Sequence, residues 1–136
     1  MAFATENTGL RSRSRPGWMT ALAVFCAATV VVTFVSDLFI PAARNTEVWF
    51  GFAVTGPLAL VTSPIHWTLF AIGAWAAWTN RPWIVPYAAG YLFYVAFCHL
   101  VWSVASPYGR GLPSGIVQAV VISSVGVALL QARRRV

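Results

Sequence analysis

Three ionisable residues interrupt long apolar segments of this chain, and they are its best candidates for acid/base chemistry. Asp37, His66 and His99 each have apolar neighbours on both sides. An ionisable group within an apolar segment is costly to maintain and commonly has a function. General acid/base catalysis also requires such groups to lie within hydrogen-bond reach of a substrate. These three residues are therefore the candidate catalytic residues.

Asp37 belongs to a polar face near the end of the first apolar segment. At helical spacing, Cys26, Val30, Thr33 and Asp37 fall in one narrow sector, which is more polar than a lipid-facing stripe should be. One interpretation is that this face points into a helix bundle. The other is that Asp37 ends its helix at the water interface, and the sequence leaves both open.

His66 and His99 occupy different surroundings within their segments. His66 shares a helical face with small and hydroxyl residues, which allow helices to pack closely and to form hydrogen bonds. It is either bonded to a neighbouring helix or used for ligand binding or proton handling. His99 lies beside an aromatic stripe that contains Tyr91, Tyr94 and Trp102, and tyrosine hydroxyls in lipid need partners. The stripe is therefore expected to face inward.

A ligand site open to one side of the membrane would combine these groups with Gln118, whose amide is costly to leave unpaired. The predicted ligand-binding residues are Asp37, His66, Tyr91, Tyr94, His99, Trp102 and Gln118. No HxxxH, ExxH or HxH spacing predicts a metal, and no GxSxG elbow predicts a serine nucleophile. We expect neither a metal nor another cofactor.

The composition is that of a chain dissolved in lipid. Of the 136 residues, 59% are hydrophobic and 9% are charged, whereas soluble domains carry about 25% charged residues. The net charge of +6 comes from arginines that cluster near the chain ends. A nucleic-acid-binding protein would need a soluble basic surface, so membrane lipids are expected partners and nucleic acid is not.

Four apolar segments are long enough to span a bilayer as helices, which takes about 20 residues each. The predicted spans are 18–40, 58–78, 82–106 and 113–132. A flexible tail at 1–16 precedes the transmembrane domain at 17–136. Pro57 and Pro64 predict a second helix that is kinked or broken, with an interfacial or kinked segment at 48–56. The expected fold class is all-α, an integral membrane four-helix bundle.

The distribution of arginine predicts the orientation of the bundle. One side of the membrane would receive Arg11, Arg13, Arg15, Arg81, Arg133, Arg134 and Arg135. The other side would receive only Arg44 and Arg110. Because positive loops stay inside, both termini are expected in the cytoplasm. Arginine without lysine is typical of GC-rich bacterial genomes, which suggests a multi-pass protein of a bacterial plasma membrane.

Three local stretches, which together cover about a third of the chain, carry a resemblance to a known family. They are Thr33-Phe34-Val35-Ser36-Asp37-Leu38 with Pro41, Trp49-Phe50-Gly51-Phe52, and Trp83-Ile84-Val85-Pro86 with Tyr87 and Tyr91. None is a stringent motif. They resemble the EXPERA superfamily, which contains the emopamil-binding sterol isomerases and the sigma-two-receptor-like proteins. The resemblance implies four spans with cytoplasmic ends, an acidic site residue at Asp37 and a sterol-like or lipid-like ligand.

The chain also departs from that family. Sterol-binding members place an acidic residue inside the second span, where this sequence has Thr55 and Gly56, and the isomerases use membrane-embedded glutamates that spans two to four lack. Two functions remain open. One is an intramembrane cavity for a hydrophobic small molecule, with isomerase-type acid/base chemistry. The other is a non-catalytic accessory subunit that binds a partner membrane protein or a second copy of itself.

Overall fold

The computed structural model describes residues 16–41 and 45–133, which form four long helices and a β-hairpin. The elements are α1 (Gly17–Phe39), β1 (Thr46–Trp49), β2 (Phe52–Thr55), α2 (Pro57–Trp78), α3 (Ile84–Ala105) and α4 (Gly111–Arg133). All four helices are long and apolar enough to cross a membrane. They confirm the predicted four-helix membrane bundle, and their bounds lie within two residues of the predicted spans. The predicted tail lies outside the described residues, except for Pro16.

The prolines of the second apolar segment have two different effects. Pro57 is the first residue of α2, where its missing N–H costs nothing, and Gly56 precedes it with a positive φ of 69°. Pro64 lies in the interior of α2, and the helix continues on both sides of it. The second span is therefore one helix that starts at the first proline and is not broken by the second.

The segment at 48–56 differs from its prediction, because most of it forms a β-hairpin. The strands pair antiparallel, with Thr46 opposite Thr55 and Trp49 opposite Phe52. Phe50 and Gly51 form the turn with φ values of 53° and 83°. Two positive φ values in a two-residue turn match the twist of paired strands. Only Gly56 separates the second strand from the apolar helix α2, so the apolar stretch from Val48 to Trp78 suggested an interfacial or kinked segment and not a hairpin.

The helices are arranged as two pairs. α1 packs along α2, and α3 packs along α4, whereas α2 and α3 make few contacts. Two glycines allow α3 and α4 to approach closely: a Cβ on Gly115 would lie 2.9 Å from Ser103, and one on Gly126 would lie 3.2 Å from Phe93. Close packing of small residues is a main source of helix association in lipid. Between the two pairs, the bundle leaves an apolar cleft.

The two ends of the bundle are built differently. The terminal end, where Gly17, Trp78 and Ile84 lie, has a core of small and apolar side chains. That core consists of Met19, Ala23, Ala76, Ala77, Ile84 and Val85. At the opposite end, called here the hairpin end, the β-hairpin contacts α2 and α3. The polar side chains that could do chemistry lie toward the hairpin end.

Candidate functional site

The β-hairpin is held against α3 by its turn. A Cβ on Gly51 would lie 2.6 Å from the carbonyl oxygen of Cys98 and 2.6 Å from Val101, so only glycine fits this approach. The Tyr94 hydroxyl accepts a hydrogen bond from the Phe50 N–H at 3.2 Å, and the two rings meet edge to face. Tyr94 therefore holds in place a turn whose first residue, Phe50, has a positive φ although it is not a glycine.

This docking brings one face of β1 to α2. Side chains alternate along a strand, so Glu47 and Trp49 project to the same face. Glu47 Oε2 lies 2.7 Å from His66 Nδ1, and the Trp49 ring stacks on the His66 ring at 4.3 Å with an angle of 3° between the planes. The strand thus supplies both the hydrogen-bond partner and the stacking partner of the histidine.

Asp37 joins the same cluster from α1. Its Oδ2 accepts a hydrogen bond from Trp67 Nε1 at 3.1 Å and lies 3.1 Å from Ser63 Oγ. Ser63 Oγ also lies 2.5 Å from Glu47 Oε1. Ser63 and Trp67 are four residues apart and share one face of α2. A hydroxyl on α2 thereby joins two carboxyl groups from α1 and β1.

The hydrogens of this network can be counted. Four polar contacts connect Asp37, Ser63, Glu47, His66 and Trp67. The serine hydroxyl, the indole and the imidazole Nδ1–H supply one hydrogen each, while the two carboxylates supply none. A fourth hydrogen is needed if every contact is to be a hydrogen bond.

The fourth hydrogen can be placed on a carboxyl group. With the hydrogen on Glu47, Asp37 Oδ2 accepts from the Trp67 indole and from Ser63, while Glu47 donates from Oε1 to Ser63 and accepts from His66 at Oε2. With the hydrogen on Asp37, Oδ2 donates to Ser63, which in turn donates to Glu47. Either placement completes the four hydrogen bonds.

The same number of protons permits a second arrangement. If the Glu47 proton is placed on Nε2 of His66, the result is an imidazolium facing an ionised Glu47, and one contact to Ser63 lacks a hydrogen. Both arrangements carry one net negative charge. The Trp49 ring stacked on His66 favours the imidazolium, since an aromatic face attracts a cation. The site can therefore hold its proton on a carboxyl or present it on the histidine.

Members of this network line two cavities, and a third cavity meets these two at Tyr91. The polar chamber, about 310 Å³, is lined by Asp37, Glu47, His66 and Tyr91 among others. A second space of about 280 Å³, called here the histidine chamber, is lined by His66, Tyr91, Tyr94, His99 and Trp102. The apolar cleft between the helix pairs measures about 350 Å³, and Tyr91 lines it too. Tyr91 is thus a wall common to all three spaces.

The structure brings some of the predicted site residues together and separates others. Asp37 and His66 both contact Glu47 or its serine partner, so the Asp37 side chain faces into the bundle. His99 lies across the histidine chamber from this network, and its Nδ1 is 2.7 Å from Gln118 Oε1. His99 and Gln118 therefore belong to a separate polar group between α3 and α4.

Sequence reasoning missed four members of the network. These are Glu47, Trp49, Ser63 and Trp67. The hairpin was the missing information, because a helical or loop reading of 46–55 leaves Glu47 at the membrane surface. A signal was present in the β-branched residues Thr46, Val48, Val54 and Thr55, which lie on both sides of Gly51. In the part of the chain that is described, no group of three or more His, Cys, Asp or Glu side chains is placed to hold a metal ion.

The fold and its polar core define a small polytopic membrane protein. No family model matches the chain, and neither the curated proteins nor the solved structures contain a match. The function is therefore inferred from the chemistry of the site.

Proposed function

We propose that this protein binds an amphipathic, lipid-like molecule between its two helix pairs. The apolar body would occupy the cleft, and the polar head would lie against Asp37, Glu47 and His66. The supporting observation is the position of Tyr91, which lines the cleft and both chambers. A molecule that passes Tyr91 therefore meets an apolar wall on one side and a charged network on the other.

The network favours a head group that donates hydrogen bonds. Its two carboxyl groups and one histidine carry a net negative charge in either proton arrangement, and carboxylate oxygens only accept. An amine or a hydroxyl would supply a hydrogen to Asp37 or Glu47. A cationic amine would also bring a positive charge to the two carboxyl groups.

His66 is the residue best placed for acid/base chemistry. Its Nδ1 is held by Glu47, which leaves Nε2 as the nitrogen that can give or take a proton. The histidine lines both the polar chamber and the histidine chamber. An isomerase-type reaction, in which a substrate gains a proton at one carbon and loses one at another, would return the network to its initial proton count.

The hairpin bears on the resemblance to the EXPERA superfamily. That resemblance implies an acidic partner for Asp37 within the membrane, which the helical spans lack. Glu47 offers one, because β1 carries it to Ser63 and His66. Within this proposal the hairpin end faces away from the cytoplasm, as the arginine distribution predicts.

The test is binding of a simple amphipathic amine, N,N-dimethyldodecylamine, with dodecanol as the uncharged analogue. Wild type, Asp37→Asn, His66→Ala and Ala88→Leu would be compared in nanodiscs by calorimetry. Ala88 lines the apolar cleft and makes no contact with the network. Amine binding should weaken about tenfold or more in Asp37→Asn, as expected for the loss of a charge-assisted hydrogen bond.

Two outcomes would reject the proposal. If all four proteins bind the amine equally, the amine is dissolving in the bilayer and not in the protein. If neither wild type nor any variant binds the amine, and a partner membrane protein co-purifies with the chain in a fixed ratio, the accessory-subunit function is favoured. Gly73 does not lie on a surface open to such a partner. A Cβ there would lie 3.3 Å from the Cys26 sulfur of the same chain.

A further inference from the structure

A second polar region lies at the hairpin end between α3 and α4, away from the network described above. This arginine groove has a volume of about 780 Å³, and its polar lining comes mainly from His99, Ser114, Arg110 and Gln118. Neither Asp37 nor Glu47 lines it. The groove therefore combines a permanent positive charge with no carboxylate from the described part of the chain.

The hydrogen bonds inside the groove leave donors available. Gln118 Nε2 donates to Ser114 Oγ at 3.0 Å, and Gln118 Oε1 lies 2.7 Å from His99 Nδ1. The amide oxygen can only accept, so His99 Nδ1 carries the hydrogen. Both ends of the amide are thus used internally. The Ser114 O–H remains as a donor for an external partner.

The Arg110 guanidinium adds the strongest donor set. It makes no ion pair with any described residue, and it presents five N–H groups that match the oxygens of a phosphate. Trp102, whose one polar atom is also a donor, lies along the same groove. A lining that offers donors and positive charge is complementary to an anion.

The depth of the groove indicates where that anion comes from. α3 has 22 residues, which corresponds to about 33 Å at 1.5 Å per residue. This length is close to the bilayer's hydrocarbon thickness of about 30 Å, so Arg110 lies at the level of the lipid headgroups. His99 is six residues inside the end of α3, about 9 Å deeper. A lipid phosphate at the level of Arg110 would have its acyl chains beside Pro113 and Val117, which line the same groove.

The geometry points to a binding site for the phosphate of an anionic membrane phospholipid in the arginine groove. Arg110 pairs with the phosphate, Ser114 donates to it, and Gln118 holds the His99 ring in place. The site is independent of the ligand proposed for the cleft. Basic pockets between transmembrane helices are a known means of holding lipid headgroups.

The test compares retained lipid in purified wild type and three variants by native mass spectrometry, after reconstitution with phosphatidylglycerol and phosphatidylcholine in equal amounts. Arg110→Gln removes the charge, and Arg110→Lys keeps it. Arg81→Gln is the matched control, because Arg81 lies at the terminal end over the Trp75 ring. Circular dichroism checks that each variant is folded.

Wild type and Arg81→Gln should retain phosphatidylglycerol in preference to phosphatidylcholine. Arg110→Gln should lose about tenfold in retention, the ratio expected for one charge-assisted hydrogen bond, and Arg110→Lys should keep part of it. Equal losses in Arg110→Gln and Arg81→Gln would overturn the proposal, since they indicate general attraction of anionic lipid. Displacement of phosphatidylglycerol by millimolar inorganic phosphate would also overturn it, because the site would then bind free anions.

Discussion

The polar chamber and the apolar cleft meet at Tyr91, yet they are held together by different interactions. The chamber is closed by hydrogen bonds among side chains from α1, β1 and α2, so the loss of any one leaves another polar group unpaired. The cleft is bounded by apolar side chains of two helix pairs that make few contacts with each other. Substitutions in the chamber should therefore affect stability strongly, whereas substitutions in the cleft should mainly affect occupancy.

The difference also shows how a small bundle can keep charge within a membrane. The side chain of Glu47 is 13% exposed and that of His66 is 18% exposed. Breaking such a pair is costly, because the remaining polar group is left without a hydrogen bond in a medium of low dielectric constant. The hairpin makes the pairing possible, since none of the four described helices carries a glutamate.

The largest effect is expected from Gly51→Ala, which should displace the hairpin from α3. A Cβ there would meet the Cys98 carbonyl oxygen, and the residue also has a positive φ. We expect the free energy of unfolding to fall by about 3–4 kcal/mol, from backbone strain and overpacking together. Unfolding experiments on wild type and variant in mixed micelles measure this loss of free energy.

Gly90→Ala is the control for that substitution. Nothing lies within 4 Å of a Cβ at Gly90 in α3, so its stability should be unchanged or slightly higher, by about 0.5–1 kcal/mol. Equal stability of the two variants would show that the hairpin is not docked on α3.

Truncation of the chamber should have the next largest effect. Glu47→Ala leaves His66 Nδ1 without a hydrogen-bond partner and leaves Ser63 with Asp37 alone, and we expect a loss of about 2–3 kcal/mol in the free energy of unfolding. Glu47→Gln should be nearly neutral, because its amide donates to Ser63 and its oxygen accepts from His66. A glutamine variant as unstable as the alanine variant would show that residue 47 does not donate a hydrogen bond to Ser63.

A substitution in the cleft should reduce ligand binding more than stability. Ala88→Leu places additional volume in a space of about 350 Å³. Binding of the amine should be lost, while the free energy of unfolding should change by about 1 kcal/mol or less, since the cleft has room for the side chain. A large loss of stability would mean that the cleft is closed in the membrane.

The smallest effect is expected from Trp49→Phe. The indole N–H of Trp49 is buried and has no hydrogen-bond partner in the described part of the chain. Phenylalanine keeps a ring over His66 and removes that donor, so stability should change by about 0.5 kcal/mol or less. A substantial loss of amine affinity at unchanged stability would show that this N–H contacts the ligand.

The helices of this protein could be predicted from the sequence, but the connections between its polar groups could not. The length of an apolar segment is almost enough to identify a membrane span, because the hydrocarbon thickness of the bilayer sets the length of a spanning helix. The position of Glu47 depends on a β-hairpin of ten residues, whose four-residue strands are too short to give a clear signal beside the long apolar helix α2. His99 was expected beside His66, and only the packing of α3 on α4 places its nitrogen on Gln118.

The central claim is that the hairpin places Glu47 on His66, and solid-state NMR of the reconstituted protein tests it most directly. The experiment measures the dipolar coupling between the labelled carboxyl carbon of Glu47 and Nδ1 of His66. A strong coupling is expected, since Oε2 lies 2.7 Å from Nδ1. Absence of the coupling in folded protein would contradict the site described here.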